Sequence, residues 1–209
     1  MKDNLIIVEH PLIKRDVTIL RDRNTESETF RAVLQRVSNL LAAEVSKNFS
    51  LSNIIIETPL EVTEGSKLTN EVILVPVLRA GLGMVNGFLQ IIPEAKVGHI
   101  GLQRDEETLQ PIDYYYKIPK NLNSAEVVML DPMLATGGSA TEAISYLKKH
   151  GAKNPVFACI VAAPEGVKKL LSKHPDIKIF AAALDRELNS KGYILPGLGD
   201  AGDRTFGTL

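Results

Sequence analysis

Apolar residues recur along this chain in two rhythms. Between residues 25 and 47, Phe30, Val33, Leu34, Val37, Leu40 and Leu41 fall at 3.6-residue spacing, which predicts one long amphipathic helix. Thr25 with Glu28 reads as a capping box at its start. Pro11, a favoured first-turn residue, marks the beginning of an earlier helix. Beyond residue 50 the rhythm shortens. β-like apolar runs predict strands at 54–57, 72–77, 97–102, 127–130, 156–162 and 177–183. Helical patterns fall between them at 82–92, at 139–149 with Gly151 as its stop, and at 165–173. Strands alternating with helices imply βαβ units and an α/β fold: a mostly parallel central sheet flanked by helices. In such sheets ligands gather beyond the carboxyl ends of the strands.

Two stretches break the alternation. Residues 103–125 are polar at first and then carry Tyr114, Tyr115 and Tyr116, a pattern for an antiparallel excursion or a flexible flap. Residues 192–209 (GYILPGLGDAGDRTFGTL) are dense in glycine and hold no helical period. Their apolar anchors Tyr193, Ile194, Leu195 and Phe206 argue that this tail packs. With 209 residues, the chain suits a single domain, 1–209, that has a real core and room for a flap.

Composition narrows the partners. The chain is 44% hydrophobic and 23% charged, as ordinary soluble globular proteins are. A formal net charge of −1 offers no global attraction to nucleic acid or to an anionic membrane. Cys159 stands alone inside PVFACIVAA and reads as a buried core thiol. One cysteine excludes an internal disulfide and a multi-cysteine zinc site, and a cytoplasmic location is the natural expectation. No apolar stretch approaches the roughly 20 residues of a spanning helix, and the first 16 residues hold too short an apolar core for a signal peptide.

The candidate chemistry lies in EVVMLDPMLATGGSAT, residues 126–141. An apolar strand delivers Asp131 to its carboxyl end, and Ala135, Thr136, Gly137, Gly138 and Ser139 then turn the chain into a helix. Such a turn aims backbone N–H groups and the positive end of a helix dipole at one spot. The hydroxyls of Thr136, Ser139 and Thr141 would add donors, and the whole is a seat for a phosphate. It is neither a Walker A loop, since no Gly-Lys-Ser/Thr follows, nor a dinucleotide fingerprint, since G-x-G-x-x-G is missing. A second segment, PVLRAGLG at 76–83, follows a strand and opens a helix. Arg79 beside glycines at a helix start suits a diphosphate.

Asp131, Pro132, Met133, Leu134, Ala135, Thr136, Gly137, Gly138 and Ser139 resemble the phosphoribosyl-diphosphate (PRPP) motif of the type I phosphoribosyltransferases, in the wording of the uracil phosphoribosyltransferases. Residues 76–83 resemble that family's pyrophosphate loop, Arg104 stands where the family places an arginine on the diphosphate, and the tail from Gly192 to Arg204 resembles its uracil-binding segment, so four segments match in order over nearly the whole chain. The resemblance implies the type I fold with a flap and a C-terminal base-binding hood, and transfer of phosphoribosyl from PRPP to uracil, giving UMP and diphosphate in pyrimidine salvage. It implies Arg79, Arg104 and Asp200, with residues 131–139, as PRPP contacts, and Arg79, Arg104, Asp131 and Asp200 as the catalytic set. Ile194, Gly199, Asp200 and Ala201 would bind uracil, largely through the main chain. Mg²⁺ would be bound mainly through PRPP, with no dedicated protein metal site. The family also implies a homo-oligomer, for which the long first helix could supply an apolar interface, and some members answer to GTP or pyrimidine nucleotides as effectors. No motif here decides that last point. Many type I members carry two adjacent acids before the loop; here Pro132 holds the second place, which leaves Asp131 alone. Three rivals remain. One is transfer to another base such as a purine or orotate; for the orotate carboxylate Arg204 is the tail's only cationic candidate. The others are an RNA-binding regulator on the same fold and a phosphosugar-binding protein without transfer activity.

Overall fold

The structure, a computed structural model, describes residues 4–104 and 111–208, and of residues 102–104 and 111–114 the backbone alone. In chain order, strand β1 (Leu5–Ile7) precedes helices α1 (Pro11–Arg21) and α2 (Ser27–Ser46). A hairpin of β2 (Leu51–Glu57) and β3 (Val62–Leu68) leads to β4 (Val72–Leu78) and α3 (Leu82–Ile91). Next come β5 (Lys96–Val97), β6 (His99–Arg104), β7 (Pro111–Lys117), β8 (Glu126–Leu130) and β9 (Met133–Leu134). Helix α4 (Gly138–Lys149), β10 (Val156–Ala162), α5 (Pro164–Lys173) and β11 (Lys178–Leu184) follow. The chain closes with β12 (Glu187–Leu188), β13 (Ile194–Leu195) and α6 (Ala201–Phe206).

The main sheet runs β1-β11-β10-β8-β4-β6-β7. Its neighbours are parallel up to β6, and β7 returns antiparallel to β6. Each central strand feeds two cores because its side chains alternate. On β4, Val72 and Leu74 point to one side, and Ile73, Val75 and Val77 to the other. On β8, Val128 and Leu130 oppose Val127 and Met129 in the same way. The apolar stripes of α1, α2 and α3 cover the first face, and those of α4 and α5 the second. Strands buried on both faces read as continuous apolar runs, which is why their positions were legible in the sequence.

The helix ends show local chemistry. Helix α1 begins at Pro11, and the ring Nδ1 of His10 accepts the N–H of Leu12 at 3.1 Å. The predicted capping box of α2 does not form. Glu26 stands at the cap without a side-chain bond, and the Thr25 hydroxyl donates instead to the Ile19 carbonyl at 2.6 Å, drawn back by the tight α1–α2 connection.

Other expectations also shift. The apolar stripe of α2 is spent inside its own chain: Phe30, Leu34, Val37 and Leu41 are fully buried. It therefore offers no free interface, contrary to the expectation. The run at 54–57 belongs to no core strand but to the β2–β3 hairpin, a two-stranded sheet of its own. There Ile55 is 69% and Leu60 95% exposed. The antiparallel excursion is real as β6–β7, although residues 105–110 of the predicted flap lie outside the described residues. Tyr116 stacks on Tyr146 of α4 with ring centroids 3.7 Å apart, so this end of the segment is packed on the domain.

The tail packs, through only some of the anchors expected. Ile194, Leu198 and Ala201 are buried, whereas Tyr193 and Phe206 are exposed. It also contains α6, which is too short for a helical period to show.

Candidate active site

The strand order reverses between β4 and β8. From β4 the chain moves outward to β6, and from β8 it moves the other way to β10 and β11. Loops leaving the two strands must diverge there and open a crevice at their carboxyl ends. Arg79 follows β4 and Asp131 follows β8 at that crevice. Arg104 ends β6, parallel to β4, so its backbone reaches the same edge; its side chain lies outside the described residues.

A cavity of ≈ 230 Å³ occupies the crevice. It is lined by Arg79, Asp131, Met133, Ser139, Asp200 and Gly202, with the chain at 77–80 beneath. Three segments far apart in sequence, 77–80, 131–139 and 200–202, thus meet at one place. Helix α6 leans on the loop after β4: a Cβ added at Gly202 would lie 3.7 Å from that of Ala80. Asp200 caps α6 by accepting the N–H of Asp203 at 2.9 Å. Asp203 in turn holds the Arg79 guanidinium at 3.1 Å and accepts the Thr208 hydroxyl at 2.6 Å. Asp203 was not singled out in the sequence, since its role depends on a partner 124 residues away.

Asp131 accepts the N–H of Met133 at 3.2 Å. Burial pushes its carboxyl up to about 7; the nearby charge of Asp200 pushes the same way, against the Met133 N–H. Behind it Cys159 is fully buried, as expected, and burial together with Asp131 raises its thiol well above the ordinary range. The turn from β8 into α4 shows why its glycines are there. Gly137 has φ +76, and a Cβ on it would meet the Gly166 carbonyl at 2.7 Å. Pro132 and Leu134 are buried toward the sheet, the Pro132 carbonyl accepting the N–H groups of Ile160 and Val161 at 3.0 Å. The first intrahelical closure of α4 runs from Thr141 N–H to Gly137 carbonyl at 3.0 Å, so the N–H groups of Gly138, Ser139 and Ala140 have no intrahelical acceptor. Thr141 does not offer its hydroxyl to a ligand: it is buried and donates to the Gly137 carbonyl at 2.6 Å.

Of the uracil-binding expectations, Asp200 faces the cavity and Ala201 is buried beside it. Ile194, in β13, and Gly199, with φ +79, lie in the tail outside that lining. Arg204 points elsewhere. It is buried, donates to the carbonyls of Leu20, Leu198 and Asp22, and lies 4.5 Å over the Phe30 ring. His174 is also buried, with Nε2 3.1 Å from the Ser145 hydroxyl and 3.2 Å from the Thr141 carbonyl, a structural place.

The comparisons with known proteins agree with this geometry. A sequence model of one family, uracil phosphoribosyltransferase, matches residues 7–208. The chain belongs to that family. It is 53% identical over 206 residues to a uracil phosphoribosyltransferase of Salinibacter ruber, covering 99% of this chain and 98% of that protein. It is also similar to the solved AQ2163 protein from Aquifex aeolicus, with a TM-score of 0.92, 40% identity and 97% of each chain covered. A hypoxanthine-guanine phosphoribosyltransferase from Bacillus anthracis shares the fold at a TM-score of 0.52 and 13% identity, over 76% of this chain and 80% of that one. The type I phosphoribosyltransferase fold expected from the loops is therefore the fold of this chain. Among the described residues, no helix is long and apolar enough to cross a membrane.

Proposed function

We propose that this chain transfers the 5-phosphoribosyl group of PRPP to uracil, giving UMP and diphosphate. The observation that carries the reading is the single cavity where Arg79, Asp131, Ser139 and Asp200 meet. The ligand spans it. The 5-phosphate sits on the free N–H groups at the start of α4, the ribose hydroxyls donate to Asp131, and the diphosphate lies toward Arg79 and Arg104. The base lies under the tail at Asp200 and Ala201, with Ile194 and Gly199 contributing main chain. Uracil is neutral and its protonated N1 is a weak nucleophile, so the C1–O bond of PRPP must weaken early and the ribose takes on oxocarbenium character, as in glycoside chemistry. The protein's part is to hold the ribose end still and to stabilise the departing diphosphate through the guanidinium of Arg79. The Asp203 carboxylate keeps that guanidinium at the mouth of the cavity.

The donor set fits Mg²⁺. Among the described residues no three ligating side chains cluster, while two carboxylates, Asp131 and Asp200, line one cavity. A hard cation held chiefly by diphosphate oxygens and water, with one or two carboxylates at most, is what such a set suits. When bound with PRPP, the ion would offset the negative charge that grows on the leaving diphosphate.

Orotate is disfavoured because Arg204, its candidate partner, is committed to three carbonyls. A homo-oligomer is part of the same reading. A two-stranded hairpin is at best marginally stable alone in water, and the exposed apolar side chains of β2–β3 suit a second copy of the chain. A cytoplasmic location also fits the fold and the lone buried thiol. Incubation with PRPP, Mg²⁺ and, in turn, uracil, cytosine, orotate and hypoxanthine tests the activity. UMP should form from uracil; no UMP from uracil overturns the reading.

A further inference from the structure

The phosphate seat contains no cation of its own. Between Asp131 and Ala140 there is no lysine or arginine, so within that segment a phosphate of charge near −2 would be met by neutral N–H groups and a helix dipole. The neighbouring helix supplies what the loop lacks. Helix α5 is jammed against the turn by its own glycine: a Cβ on Gly166 would come within 2.3 Å of the Ala135 carbonyl. This close approach carries Lys169, one turn further on, over the glycine pair. Its Cβ lies 3.2 Å from where a Gly137 Cβ would stand, and its Nζ 3.7 Å from where a Gly138 Cβ would stand. The stem is thus fixed beside the turn and the ammonium is at the first residue of α4. The nearest acid on the same helix is already engaged, as the Glu165 carboxylate accepts the N–H of Leu188 at 3.1 Å.

We propose that Lys169 is a binding residue for the 5-phosphate of the phosphoribosyl substrate, a cation delivered to the seat from α5. This rests on the reading of residues 131–139 as that seat. The contact is made to a part of the substrate that does not change during transfer, so it contributes to binding in ground and transition state alike. It should therefore appear in KM and not in kcat.

The test is Lys169→Met in the full chain, with Lys169→Arg and Lys168→Met beside it. Lys168 carries the same charge one residue away, on a different side of the helix. Lys169→Met should raise the KM for PRPP by roughly five- to twentyfold, allowing for solvent screening of an exposed pair, with kcat within about twofold. The inhibition constant of ribose 5-phosphate, which has the 5-phosphate but no diphosphate, should rise by the same factor. That of inorganic diphosphate should not move. Arginine should restore most of the loss, Lys168→Met should cause none, and the melting temperature should hold because the side chain is exposed. Unchanged constants for PRPP and ribose 5-phosphate would overturn the assignment, as would an equal loss for diphosphate. Direct calorimetry of ribose 5-phosphate with parent and variant decides the lysine's role even where no UMP is formed. Failure of the activity and failure of this assignment are thus separate results.

Discussion

Asp131 carries a conflict that its position creates. It lies at the end of an apolar strand, in a cavity it shares with Asp200, and its carboxyl is pushed up to about 7 mainly by burial. To accept ribose hydroxyls it must be ionised. In the free protein kcat/KM for PRPP should therefore fall as pH drops below about 7, a limb that Asp131→Asn removes together with about ten- to a hundredfold of activity. Stability carries the opposite sign. The unfolded carboxyl ionises near its ordinary 3.8 and the folded one near 7, so between those values the folded state binds more protons and loses stability as pH rises. Ligand-free Asp131→Asn should accordingly melt above the parent at pH 8, with the gap closing toward pH 4. A variant that melts below the parent at pH 8 would mean that the carboxylate is not strained. Asp131 and Arg79 were legible because each follows an apolar strand and precedes a helix. Asp203 and Lys169 were not, because an acid or a lysine on a helix face looks like any solvated charge until the element beside it is known.

At the scale of elements, the turn from β8 into α4, the proposed phosphate seat, is built by close contact between backbones. Gly166 and Gly138 look alike in sequence but do different work. A Cβ on Gly166 would meet the carbonyls of Ala135 and Leu134 at 2.3 and 2.7 Å, so Gly166→Ala must displace the turn. It should cost about 1–3 kcal/mol of stability and raise the KM for PRPP. A Cβ on Gly138 would meet nothing nearer than the Lys169 ammonium at 3.7 Å. Gly138→Ala should keep or slightly raise the melting temperature, since alanine is the better helix former, while its methyl group blocks the approach of the phosphate and raises the KM. Thermal melts and initial rates on both variants separate the two roles. Equal losses of stability would sink the distinction. Helix α6 and the short strand β1 escaped the sequence reading for a simple reason: six and three residues are too few for a period to declare itself.

Across the whole molecule, long-range bonds place the tail over the site. Arg21 and Asp185, 164 residues apart, pair at 2.8 Å, and each also bonds the main chain of Gly197, Arg21 to its carbonyl at 2.7 Å and Asp185 from its N–H at 2.9 Å. With Arg204 bonded back to the end of α1 and the residue after it, they set the wall against which Asp200 and Ala201 stand. The β2–β3 hairpin leaves Ile55 and Leu60 exposed, and these side chains are the proposed contact with a second copy. Light scattering should find the parent as a dimer or larger species at micromolar concentration, and Ile55→Asp should shift it toward monomer without loss of helical signal; a monomeric parent would sink the idea. The alternation of the central strands and helices, the turn from β8 into α4 and the family were legible in the sequence alone, because period, burial on both faces and turn chemistry are local and leave local marks. What needed the tertiary structure was every role shared between distant residues. The apolar stripe of α2 and the apolar run of β2 look equally able to meet a partner in sequence, yet one is buried by its own chain and the other is not. Arg204 and Arg79 carry the same charge, yet one is fastened to carbonyls in the core and the other is held at the mouth of a cavity. Burial and pairing are properties of what lies across the fold, and residue order records them only indirectly.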